Sequence, residues 1–112
     1  MKLNQYTSVA HATRALRKRG FKDDFKLEGK KWMRNLNNKK KYKAGDMSIV
    51  EYHRFEGMSN PSDLSIVFAV ETHSGDKGTI VSSYGMYADM NLVEFMDKVR
   101  VKERANASGL SR

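Results

Sequence analysis

Between residues 47 and 84 three β-rich runs, MSIVEYHRFE, LSIVFAVET and TIVSSYG, are separated by the turn-forming stretches GMSNPSD and HSGDKG. Val, Ile, Phe and Tyr suit a pleated, half-buried surface, while Gly, Pro, Asn and Asp supply the dihedral angles a reversal needs. The pattern predicts an antiparallel meander. With Arg54 placed near Leu64 across the first turn, one face collects Val50, Tyr52, Ile66, Phe68 and Val70, and the second hairpin adds Ile80 and Tyr84. That face is expected to meet the helices. The other carries Glu51, His53, Ser65, Glu71 and Ser83 together with Ile49, Val67 and Val81, a half-apolar surface on which a partner or a second copy could sit.

Helical signals flank this block. Thr7 or Ser8 can cap a helix in which Val9, Ala12 and Leu16 recur at helical spacing, and Gly20 stands where a left-handed residue ends it after about Arg19. Asn91 followed by Glu94 reads as a capping box for a second helix with the stripe Leu92, Phe95, Met96 and Val99, ending near Val101. FKLE and KWMRNL are short candidate strands around Gly29, and whether they join the sheet stays open. The expected fold is therefore α+β: an antiparallel meander sheet of three to five strands with an N-terminal and a C-terminal helix packed on it. Residues 1–101 are expected to form one domain with a flexible basic loop at about 37–46, and 102–112 a disordered basic tail.

Composition narrows the function classes. The chain of 112 residues has no cysteine, which excludes disulfides and thiolate chemistry and fits a reducing, cytoplasmic setting. No apolar run approaches the ~20 residues of a membrane span, so no membrane partner is expected. The formal net charge is +8, from 21 Lys and Arg against 13 Asp and Glu. These cations crowd around helix one, around residues 30–43 and after residue 98, leaving the middle near neutral. Arg14, Arg17 and Lys18 with Lys39, Lys40, Lys41 and Lys43 form the candidate polyanion-binding set, to be weighed against ordinary solvated surface.

Other candidates are thinner. His11, His53 and His73 lack the spacing of a metal site, so neither a metal nor a cofactor is expected. The Gly, Lys and Thr of HSGDKGT lead from strand to strand, whereas a phosphate cradle leads into a helix amino terminus, so the run reads as a hairpin turn. Arg54 could hold a carboxylate or phosphate, and Tyr84 and Tyr87 could stack a ligand, although ion pairing at a sheet edge and packing at a strand–helix junction account for the same residues.

The blocks RFEGMSNPSD and YGMYAD, with KRGF at residues 18–21 and Asp24-Phe25, resemble a family of small proteins from Bacteroidetes, often labelled phosphoribosylpyrophosphate synthetase, over roughly residues 10–101. The resemblance implies an enzyme acting on phosphoribosyl pyrophosphate, which would need Arg54, His53, Lys77 and Tyr84 to converge on one pocket. The acidic, Thr-Gly-Gly-Thr-like loop with which that synthetase holds ribose phosphate is missing from these residues. Read from the residues, the chain is expected to be a non-enzymatic binding module for RNA or a ribonucleoprotein surface. The alternative is a protein-interaction or regulatory domain, homodimeric through a sheet edge or the half-apolar face.

Overall fold

The structure, a computed structural model, describes residues 6, 8–55, 65–83 and 89–101. Helix α1, Val9–Lys18, starts at Ser8, whose hydroxyl accepts the His11 amide at 3.1 Å, and is followed by Gly20 at φ 108°. Ala12 and Leu16 form its buried side, as their spacing requires. The chain then runs through β1 (Asp23–Glu28), β2 (Trp32–Asn35) and β3 (Lys41–Tyr42), a short 3-10 helix at Ala44–Asp46, β4 (Met47–Phe55), β5 (Ser65–Thr72), β6 (Lys77–Ser83), α2 (Met90–Lys98) and β7 (Arg100–Val101).

The expected three-to-five-stranded antiparallel meander is corrected to a seven-stranded mixed sheet, curled into a half-barrel, in the order β3-β2-β1-β6-β5-β4-β7. Strands β4, β5 and β6 pair antiparallel, but β1 joins β6 in parallel through Asp23–Gly78 and Asp24–Thr79, and β7 joins β4 in parallel through Ser48–Arg100 and Ile49–Val101. FKLE and WMRN thus belong to the sheet as a hairpin turning at Gly29, φ 64°. The two parallel joints rest on two residue pairs each, too short to leave a period in the sequence.

A second correction concerns the faces. Ile49 pairs with Val70 but Glu51 with Ala69, so Val50 is an extra residue in β4, a β-bulge that shifts the strand's alternation by one. Val50 therefore leaves the Tyr52 and Val70 side and packs with Val67 and Ala69 against Ala12, Leu16 and Phe21 under α1. Met47, Ile49, Val70 and Ile80 occupy the opposite, inner face with Phe25, Met33 and Tyr42 of the curled end and Phe95, Met96 and Val99 around α2. The helices cover opposite faces rather than one. Register differs too, with Arg54 opposite Ile66. The cap of α2 is Asp89, which accepts the Asn91 and Leu92 amides, two residues before the expected Asn91; the helix gives way at Val99 to β7.

Gly78 marks the tightest point of the parallel joint. A Cβ there would meet the Asp23 carbonyl and the Phe25 ring. Gly78→Ala is expected to lower stability by about 1–3 kcal/mol, because backbone cannot give way as a flexible side chain can. Urea unfolding checks this, and an unchanged midpoint would contradict the close approach of β1 to β6.

Candidate nucleic-acid interface

In β1 apolar residues alternate with charged ones and β2 follows its register, so Phe25, Leu27 and Met33 turn to the inner core while Lys26, Glu28, Trp32 and Arg34 turn outward. Cross-strand register aligns Lys26 with Arg34 and Arg34 with Lys41, placing three cations in one row across β1, β2 and β3. Neighbouring strands lie about 4.8 Å apart, so the row spans about 10 Å. Glu28, opposite Trp32 in the next row, is the acid beside these cations, ion-paired to Arg34 and, at 3.4 Å, to Lys41. The bond from Arg34, then Lys41, holds its carboxyl below the ordinary range. Beside the row the Trp32 ring is 40% exposed, with Lys43 Nζ 5.2 Å from its centroid.

This outer face continues toward α1. Asp24 pairs with Thr79, which pairs with Ala69 under α1, so the outer side of β1 and the α1-covered side of the central strands are one surface. Arg17 reaches Asp24 at 3.6 Å, and the Asp24 amide donates to Asn37 Oδ1 at 3.0 Å, linking the basic last turn of α1 to the turn before β3. Arg17 and Lys41 thus share a surface with Lys43. Arg14, Lys18, Lys39 and Lys40 are exposed, Lys39 at φ 68° in the turn.

Residues 37–46, expected as a flexible loop, contain a bonded turn, β3 and the 3-10 helix. Asn35 is fully buried; its Oδ1 accepts the Asn37 and Asn38 amides and its Nδ2 donates to Asp23 at 2.9 Å and to Asp76 at 3.0 Å. Asp76 also accepts from Asn38 Nδ2 at 2.8 Å and the Tyr42 hydroxyl at 2.7 Å. Burial alone would raise the Asp76 pKa, yet these donors and the nearby charge of Lys40 outweigh it and hold the group ionised. The β5–β6 turn is therefore bonded to β2 and β3, and this fixes the direction in which the cationic row faces.

Under α1 lies a second polar group created by the bulge. Glu51 takes two bonds from Arg19, Nη1–Oε2 at 2.8 Å and Nη2–Oε1 at 2.6 Å, and a third from His53 Nε2 at 2.8 Å. Arg19 Nη1 also donates to the Tyr6 hydroxyl at 3.2 Å, and the Tyr6 ring meets His53 edge-on at 4.8 Å. His53, then Arg19, holds Glu51 down from 4.5 to about 2, and the same bond raises Arg19 above its ordinary value. The carboxylate accepts, so His53 carries its proton on Nε2. This group ties the end of α1 to β4.

The structure does not bring His53, Arg54 and Lys77 together in one pocket. His53 and Arg54 point to opposite faces of β4, and Lys77 lies at the far end of β6, its Nζ 5.9 Å from the Phe21 ring centroid. Arg54 instead lines an apolar cleft of about 230 Å³ with Phe68, Met96 and Asp97, while a polar cleft of about 390 Å³ lies among Asp46, Ser48, Glu71, His73 and Arg100. Tyr84 and Tyr87 fall outside the described residues, as do most of the blocks 54–61 and 84–89 and the tail 102–112. Among the described residues no cluster of three or more His, Asp or Glu could hold a metal ion, and no helix is long and apolar enough to cross a membrane. Comparison of the chain with protein-family models, curated proteins and solved structures finds no match.

Sequence pattern alone did not bring out Lys26 and Trp32, and it gave Arg34 only as a member of the basic run at residues 30–43. The signal that carries them is the alternation FKLE together with the register that pairs it to WMRN.

A depressed carboxylate pKa stabilises the fold above the unfolded value and ceases to do so as pH falls through the folded one. The Glu51 contribution is therefore complete above about pH 4.5 and lost between there and about pH 2. It amounts to at most about 3 kcal/mol, and less because solvent reaches Arg19. Urea unfolding at stepped pH should show a stability gap between wild type and Glu51→Gln at neutral pH that closes across this window. Parallel profiles would contradict the ion pair.

Proposed function

We propose that this chain is a non-enzymatic module that binds RNA, or the RNA of a ribonucleoprotein surface, through the outer face of β1, β2 and β3 and the basic last turn of α1. The observation that carries the reading is the cross-strand row Lys26, Arg34 and Lys41, flanked by Lys43 and Arg17 and held in place by the bonds of Asn35 and Asp76. Cations spaced by strand pairing meet successive phosphates without each side chain having to be ordered separately, and the released counterions drive association. Part of the +8 charge lies on this one surface, which supports polyanion binding over charge scattered for solubility.

The protein-interaction alternative has less to support it. Among the described residues the outermost strands β3 and β7 are two residues long, a short template for edge pairing, and of the exposed apolar residues Val81, Met90 and Val101 sit on three different elements while Trp32 and Leu36 flank the cation Arg34. An apolar interface would also be insensitive to salt.

Fluorescence anisotropy with a labelled oligoribonucleotide at stepped salt tests the proposal. Three phosphate contacts on a single strand predict a slope of log K against log salt of about −2. Replacing Lys26, Arg34 and Lys41 together by Gln should flatten that slope by about 2, whereas Glu28→Gln should tighten binding by removing the acid paired to Arg34 and Lys41. Absence of binding at low salt, or binding that none of these changes alters, would overturn it.

A further inference from the structure

We infer that the RNA bound is single-stranded and that one of its bases stacks on Trp32. The inference rests on the RNA-binding reading above and specifies its ligand. A row of cations by itself suits any polyanion, because phosphates of a duplex, phosphates of a single strand and the sulfates of a polysaccharide all answer to charge. The indole adds a requirement that these ligands do not share. Trp32 is 40% exposed on the same face as the cations, on the strand that also carries Arg34, and the core on the other side of β2 is filled by Met33 without it. A duplex keeps its base faces inside the stack and offers such a ring only its backbone; an unpaired base offers a flat π surface of matching size.

The cations around the ring fit the same occupant. Lys43 Nζ stands 5.2 Å from the indole centroid, and Arg34 and Lys41 are held beside it through Glu28, which faces Trp32 across β1 and β2. Lys43 lies over one face of the indole, so a base that stacks there takes the place of the ammonium and leaves it, with Arg34 and Lys41, free to meet the adjoining phosphates. Stacking tolerates any base, so this surface reads strand form rather than sequence. An acidic peptide would satisfy the charges and leave the ring unused.

Trp32 is the one tryptophan of the chain, so its emission reports on this position alone. The full-length protein is titrated at low salt with an oligouridylate of about 10 nucleotides, within the ~4–16 nucleotides that single-strand binding sites cover, and in parallel with an RNA duplex of equal length and with heparin. Saturable quenching by the oligouridylate, and much weaker quenching by heparin or duplex at matched occupancy, is expected. Trp32→Ala should weaken oligouridylate binding by between about 5-fold and 100-fold, the loss of one stacked base, while leaving heparin binding in place, and Trp32→Phe should restore most of it. Salt-dependent RNA binding with unchanged Trp32 emission and an unaffected Trp32→Ala variant would overturn the stacking inference and leave the RNA-binding reading standing. Failure of the oligouridylate and the duplex to bind at all would overturn both.

Discussion

The buried Asn35 and the Asp76 carboxylate it meets decide where half of the sheet goes. Strands β1 to β3 are attached to β6 by two residue pairs, too few to define their direction. Asn35 removes that freedom: it binds Asp23 at the start of β1, Asp76 before β6 and the amides of the turn ahead of β3. Each of these groups is partly or wholly withdrawn from water, so leaving any one unmatched would cost about 1–3 kcal/mol. The curl of the half-barrel is thus specified by polar bonds, and its apolar interior supplies most of the driving force without fixing the geometry.

The other half depends on one extra residue. Because Val50 is inserted in β4, Val50 and Glu51 both belong to the α1 side, one filling the apolar cluster and the other receiving Arg19 and His53. Without the bulge Glu51 would face the inner core and Arg19 would have no anion on β4. The last turn of α1 is held at β4 by this pair and at β1 by Arg17 and Asp24, so its basic side lies alongside the hairpin rather than away from it. A local irregularity in one strand thereby helps to extend the cationic surface beyond β1 to β3.

Much of this was legible from residue order. The cap at Ser8, the stripe Val9, Ala12 and Leu16, and the three runs between residues 47 and 84 each carry a physical signal that neighbours do not disturb. The bulge left no such mark, since one added residue changes neither composition nor apolarity and shows only in what lies across the strand. Strands β3 and β7, two residues each, are shorter than any period. The segment 37–46 looked open because its lysines and asparagines bury little, yet Asn35 and Asn38 order it through their side-chain amides, with partners as far away as Asp76. Of the candidate interface, Arg17, Arg34, Lys41 and Lys43 stood out as members of charge runs. Lys26 and Trp32 did not, because their significance lies in pairing register.

On the proposed reading RNA binds one surface, the outer side of β1 to β3 with the end of α1. Amide chemical-shift mapping of the isotope-labelled chain during titration with a short oligoribonucleotide locates the contact directly. The account predicts shifts concentrated at Lys26, Trp32, Arg34, Lys41, Lys43 and Arg17, with the strands under α1 unaffected. Shifts centred instead on the clefts at Arg54, Phe68 and Met96 or at Asp46, His73 and Arg100 would contradict it.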